Sequence, residues 1–137
     1  MTGRYTAKAS TTVMASPDEV WNALTDPDIV KKYYFGTTVE SDWVPGHPIT
    51  WRGEYEGRAY EDHGVILEAH PGHLLKNTHT SGGAEHTLTY LLEPDGAATR
   101  ITLTQDNAAS ADEAEHDAAN WTAMLEGMKG VLEGPSQ

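Results

Sequence analysis

Cysteine is absent from this 137-residue chain, which removes disulfides and thiolate metal sites from consideration. A reducing compartment suits such a sequence, and a cytoplasmic location is the expectation. Long apolar runs are missing as well. None approaches the roughly 20 residues that span a bilayer, and the opening Met1-Thr-Gly-Arg-Tyr-Thr-Ala-Lys8 lacks the apolar core of a signal peptide. Positive charge is scarce: nine Lys and Arg face 21 Asp and Glu, a formal net charge of −12. That excess repels phosphate backbones and anionic lipid, so neither a nucleic-acid nor a membrane partner is expected. Glycine-rich phosphate loops, nucleophile elbows and paired-histidine helix motifs do not occur. No cofactor is expected. Repeats, low-complexity tracts and linkers are also lacking, and the length suits a single domain, 1–137, that buries about two-thirds of its unfolded surface.

What is present is clearest towards the end of the chain. Ser110 to Leu132 is a proline-free stretch in which Ala114, Ala118, Trp121, Leu125, Met128 and Leu132 recur at steps of four and three. Those steps place all six on one face of a 3.6-residue helix. Ser110 and Glu113 have the pattern of a capping box, and Gly134-Pro135 supplies a stop. At 1.5 Å per residue this helix is about 35 Å long, enough to cross a small domain. From Asp106 onward seven acids accompany one base, Lys129. A solvated outer helix face is the expectation, with a docking face for a basic partner as the alternative.

The remainder reads as strands interrupted by two short helices. Tyr5 to Met14, rich in Thr, Ala and Val, predicts the first strand. Ser16-Pro17-Asp18-Glu19 is a second capping box, with proline where a backbone N–H would go unpaired anyway. Asp26-Pro27-Asp28 opens another helix that runs to about Tyr34 and stops at Gly36. Turn signals at Val44–Pro48, Glu56-Gly57, Pro71-Gly72, Ser81-Gly82-Gly83 and Pro94-Asp95-Gly96 then separate six strands, about 37–43, 49–55, 58–69, 73–80, 86–93 and 98–106. Connections this short favour an antiparallel meander, with the first strand joined by the helical excursion. Leu88, Tyr90, Leu92, Ile101 and Leu103 alternate with Thr87, Thr89, Thr102 and Thr104, so one sheet face is apolar and suited to the C-terminal helix.

This order, β-α-α-β6-α, resembles the START-like (SRPBCC) helix-grip superfamily, an α+β fold whose curved antiparallel sheet wraps around a long C-terminal helix. Ala15-Ser-Pro-Asp-Glu-Val-Trp-Asn-Ala-Leu-Thr-Asp-Pro27, Trp51-Arg-Gly-Glu54, Tyr60-Glu-Asp-His-Gly-Val-Ile-Leu-Glu68, Thr104-Gln-Asp-Asn107 and Asn120-Trp121 carry a closer likeness. They resemble the family named for the activator of the heat-shock protein 90 ATPase, from about Tyr5 to Leu132. The resemblance implies a cavity between sheet and terminal helix, suited to an apolar or amphipathic small molecule.

Candidate ligand-binding residues come from both elements. The helix offers Trp121, Met124, Leu125 and Met128; the strands offer Trp51, Tyr55 and Tyr90. Aromatic area and adaptable thioethers suit a pocket, and they suit a filled core equally well. His63 and His79 lie on neighbouring strands, with Glu54, Asp62 and Asp106 in reach, and could orient a polar head or handle a proton. A bulge near Gly64 would reverse the side that His63 faces. His70-Pro-Gly-His73 reads as a surface turn rather than a metal site, because zinc takes three or four protein ligands.

The leading expectation is a small-molecule-binding protein with no assigned catalysis or catalytic residue. A protein-interaction module, as the family resemblance implies, is the alternative; it is weakened by the lack of a second domain for gripping a client. A cyclase- or hydrolase-like enzyme, which the superfamily also includes, comes third. No metal is expected, and the oligomeric state stands between monomer and homodimer.

Overall fold

The computed structural model describes residues 5–34, 36–81 and 84–133; Gly134-Pro135 and the side chains of Tyr55, Ser81 and Ala84 lie outside the described set. The chain runs β1 (Tyr5–Val13), α1 (Pro17–Thr25), α2 (Pro27–Tyr33), β2 (Thr38–Ser41), β3 (Pro48–Tyr55), β4 (Arg58–His70), β5 (Leu74–Ser81), β6 (Ala84–Asp95), β7 (Ala98–Ala108) and α3 (Ala111–Glu133). Capping chemistry sets the short helices. The Glu19 N–H donates to the Ser16 hydroxyl at 3.2 Å while the Glu19 carboxylate accepts the Ser16 N–H at 2.9 Å. Asp26 serves two helices: its N–H closes α1 on the Asn22 carbonyl, and its carboxylate caps α2 by accepting the Asp28 N–H. At α3 the Ser110 hydroxyl accepts the Glu113 N–H, but the Glu113 carboxylate reaches back to Ala109 rather than to Ser110 itself.

All strands join one antiparallel sheet in the order β1-β7-β6-β5-β4-β3-β2. Sequential strands pair as a meander, and β1 closes on β7. The expected strand 37–43 is shorter, ending at Ser41, because Trp43 takes a left-handed backbone with φ 61° and turns the chain out of the ladder. Register confirms the apolar face: Leu88 stands opposite Gln105, Tyr90 opposite Leu103 and Leu92 opposite Ile101. Ile66, Leu88, Leu92, Ile101 and Leu103 are fully buried on that face. Each side chain of this size contributes about 1.5–3 kcal/mol on burial.

The α3 stripe packs onto the sheet as expected. Ala114, Trp121, Leu125 and Met128 are buried together with Met124, while Ala118 and Leu132 are partly buried against the same core. The acids of α3 that end the helix are exposed and also reach β1 and the residue after it. Glu126 accepts from the Thr11 hydroxyl at 2.8 Å, Glu133 accepts the Met14 N–H at 2.7 Å, and Lys129 donates to the Thr12 carbonyl at 2.8 Å. The helix thereby occupies backbone groups along and just beyond an edge strand that would otherwise stand open to another strand.

Gly64 is required by close approach rather than by a turn. A Cβ there would sit 1.9 Å from the Thr78 carbonyl oxygen, closer than any side chain tolerates. The bulge expected near Gly64 lies slightly later, between Ile66 and Glu68, where the β4–β5 register shifts. His63 precedes the shift and pairs with Thr50 and Thr80.

Leu125→Ala should lower unfolding free energy by about 2–5 kcal/mol in urea titration, since the site is fully enclosed and collapses poorly. Gly64→Ala should destabilise comparably through backbone displacement at Thr78, with no apolar area lost.

Candidate ligand site

Five aromatic rings gather between α2 and the concave face of the sheet. Tyr33 and Tyr34 come from the end of α2, Trp43 from the β2–β3 loop, Trp51 from β3 and Tyr90 from β6; Leu24, Val30, Val39, Ile49, Leu75 and Asn77 complete the lining. The space between them, partly open to solvent, is about 20 Å³, room for roughly one water or a group of similar size. It is lined from α1, α2 and the sheet, not from α3. Met124, Leu125 and Met128 face a different part of the interior, and their fully buried side chains fill it.

Polar groups stand beside the aromatic wall. Trp51 lies opposite Asp62 in the β3–β4 register, so the two share the inner face. The His79 Nε2 is 3.2 Å from the Asp62 Oδ2, and both side chains are largely covered, at 16% and 21% exposure. The His79 ring also meets Trp51 edge-on, with centroids 4.5 Å apart and planes at 86°. Burial holds the His79 imidazole below the usual histidine range, against the upward pull of Asp62. The ring is therefore mainly neutral near pH 7, with Nε2–H donating to Asp62 and the Nδ1 lone pair available.

A second network supports the start of α3. The Trp121 indole N–H donates to the Gln105 Oε1 at 2.7 Å, and the Gln105 amide donates to Asp117 at 2.8 Å. Tyr34 stands edge-on to Trp121, with centroids 6.1 Å apart. On the Trp51 face of β3 the Tyr60 ring lies across Gly53 and shares a hydroxyl–hydroxyl bond with Thr37. Burial raises the Tyr33, Tyr34 and Tyr90 phenols above the ordinary range, so all three remain neutral.

Of the expected binding residues, the structure brings Trp51, His79 and Tyr90 together, with Trp121 reached through Tyr34. His63 stands apart: strand alternation puts it on the outer face, 63% exposed, beside Glu61. Glu54 and Asp106 also face outward, and the Asp106 carboxylate accepts the Thr87 N–H. The Tyr55 side chain lies outside the described residues. Sequence reasoning missed Tyr33, Tyr34, Trp43, Asn77 and Gln105. Alternation on β5 carried a signal for Asn77, which sits between Leu75 and His79 on the inner face; nothing local marks Trp43, because its role depends on a left-handed turn. The His70–His73 turn is external, with His70 near Glu68, and the described residues hold no cluster of three or more metal-ligating side chains. No described helix is long and apolar enough to cross a membrane.

The His79 environment has a consequence for stability. The unfolded chain takes up a proton near pH 6.5, while the folded form resists until the pH is lower, so His79 removes stability as pH falls through that window. His79→Gln should flatten the difference in unfolding free energy between pH 7.5 and pH 5.5, measured by urea titration; an unchanged difference would contradict this assignment.

Comparison with known proteins agrees with the geometry. The family model Activator of Hsp90 ATPase homolog 1-like protein matches residues 14–133. The solution structure of ChR145 from Cytophaga hutchinsonii is 40% identical over 97% of both chains, with a TM-score of 0.83. The Aha1 dimer from Colwellia psychrerythraea has the same fold at 19% identity, over 97% of this chain and 99% of the other, with a TM-score of 0.78. DynU16, a protein of the dynemicin biosynthetic locus, shares the fold at 20% identity, over 94% of this chain and 47% of its own, with a TM-score of 0.83. No curated protein matches the chain in sequence. With its strand order, its gripped terminal helix and a match across most of its length, the chain belongs to the Activator of Hsp90 ATPase homolog 1-like family of helix-grip proteins.

Proposed function

We propose that this protein binds a small apolar or amphipathic molecule in the cleft between α2 and the concave face of the sheet. The observation that carries this reading is the largely covered His79–Asp62 pair, whose imidazole meets edge-on the Trp51 ring that lines the cleft. Burying polar groups costs folding energy unless they are satisfied, and this pair ties together no elements that the ladders do not already join. Its useful work is to orient a polar head while the rings of Trp51, Tyr34 and Tyr90 hold an apolar body. Asn77, fully buried in the same wall, adds an amide.

The space of about 20 Å³ is smaller than a drug-sized ligand requires. Binding therefore involves an outward shift of the Trp43 loop or of α2, which together with α1 form the walls outside the sheet. One fold neighbour comes from a biosynthetic locus, which accords with a small-molecule partner. No catalytic role is assigned to His79.

A ligand present at a hundredfold excess over Kd should stabilise the folded state by about 2.7 kcal/mol, visible as a rise in melting temperature together with altered tryptophan emission. His79→Ala should weaken binding of molecules with a polar head, and His63→Ala, on the outer face, should leave it unchanged. Met124→Trp and Met128→Trp should each cost about 1–3 kcal/mol of stability by overpacking. A screen of aromatics, isoprenoids and alkyl amphiphiles giving neither thermal shift nor emission change would overturn the reading.

The family's chaperone association offers a second reading, favoured by the exposed acids Asp112, Glu113 and Glu115 on α3. The same charge opposes contact with an acidic chaperone surface. The expected outcome is no stimulation of a heat-shock protein 90 ATPase at low micromolar protein; stimulation lost on neutralising those three acids would favour the interaction reading instead.

A further inference from the structure

Among the described residues, the side chains that line the cleft carry no charge of either sign. Their polar atoms are the phenols of Tyr33, Tyr34 and Tyr90, the indoles of Trp43 and Trp51, and the amide of Asn77. Tyr33 is committed to the fold, its hydroxyl donating to the Ala23 carbonyl at 2.7 Å. Tyr90 is not. The residue is 7% exposed, yet its hydroxyl has no hydrogen-bond partner among the described residues. No fully enclosed side-chain nitrogen or oxygen of those residues is left unbonded, so an unbonded hydroxyl touches open space, and the space that Tyr90 lines is the cleft. Asn77 follows the same logic at 1% exposure: its amide nitrogen donates to the Thr78 carbonyl at 2.9 Å, and its Oδ1 accepts nothing from the described residues. Tyr90 stands opposite Leu75 and Asn77 opposite Leu88, which makes the two diagonal neighbours on the inner face of β5 and β6. A donor and an acceptor thus adjoin a space of about 20 Å³, the size of a single hydroxyl group or water.

Resting on the ligand-binding reading above, we propose that the cleft takes the neutral hydroxyl of a small alcohol or phenol, whose oxygen accepts from the Tyr90 hydroxyl and whose proton goes to the Asn77 Oδ1. The apolar remainder of the molecule lies along the rings of Trp51 and Tyr34. The His79–Asp62 pair meets Trp51 from outside this lining and is a separate contact. A carboxylate or an ammonium is disfavoured in the cleft, because it sheds its hydration with no countercharge in the wall. A plain hydrocarbon is disfavoured for the opposite reason. It covers both polar atoms and pairs neither.

The test varies one substituent on a benzene ring. Phenol, toluene, benzoate and benzylammonium are titrated into the protein at pH 7.5 by calorimetry, with melting temperature as a second readout. Phenol is expected to bind about tenfold tighter than toluene, with both ions weaker than either. Tyr90→Phe, which removes only the oxygen, should bring phenol down to the affinity of toluene and leave toluene unchanged. The melting temperature of the ligand-free protein should also hold, since that oxygen bonds nothing in the fold. The ranking in the unmodified protein decides the matter if the variant does not fold. Toluene or either ion binding as tightly as phenol overturns the hydroxyl preference and leaves the binding site in place; a phenol preference that survives in Tyr90→Phe overturns the role of Tyr90. Binding by none of the four overturns this inference, and the wider screen described above then decides the ligand-binding reading by itself.

Discussion

The pairing of β1 with β7 is the constraint on which the rest of the structure depends. It joins β1, Tyr5–Val13, to the last strand through eight paired residues, with a register shift between Tyr5 and Ala7. Until that ladder forms, the meander from β2 to β7 has no first strand and α3 has no edge to lie along. The connection is long, and its closure entropy must be repaid by the ladder and by the packing of α3. Glu126, Lys129 and Glu133 add hydrogen bonds along that edge and just past its end, so the helix both covers the core and shields an edge strand.

The concave face is divided by what covers it. Beneath α3, Met124, Leu125 and Met128 are fully buried in the same apolar core as Ile101 and Leu103. Beneath α2 the covering element is only seven residues long and its contribution is aromatic. Large planar rings leave gaps that aliphatic chains would close, and the residual space lies there. The polar residues follow the same division. His79, Asp62 and Asn77 adjoin the aromatic half; Gln105 marks the boundary by joining Trp121 to Asp117. The proposed ligand binding draws on this division, with a sheet on one side and a short helix and a loop on the other.

Membership of the Activator of Hsp90 ATPase homolog 1-like family fixes the architecture without fixing a chemistry. Family likeness accounts for the strand order and for the terminal helix. The ring of Trp51 against His79, the pairing of His79 with Asp62 and the left-handed Trp43 are properties of this chain's own residues, and the functional reading rests on them.

Most of the fold was legible before any coordinates. Ser16-Pro17 and Asp26-Pro27 announced both short helices, the glycine turns set the strands within a few residues, and the four-three spacing from Ala114 to Leu132 identified the buried face of α3. These signals are local: each depends on periodicity or capping within a few neighbours along the chain. The site was legible only in part. Trp51, His79 and Tyr90 stood out as inward candidates, but His63 looked equivalent to His79, because one residue of register decides which face a side chain occupies. Tyr34 and Trp43 gave no sign, one at a helix end and the other in a loop whose backbone turns left-handed. The methionines of α3 looked like pocket residues for the same reason that they make good core: a flexible apolar side chain is compatible with either, and only the distance to the facing strands settles it. The sequence by itself determined which elements form and which faces are apolar, since those follow from short-range periodicity. Tertiary structure alone decided where the cover is tight and where it gapes, and which carboxylate meets which imidazole, since those depend on residues brought together across the sheet.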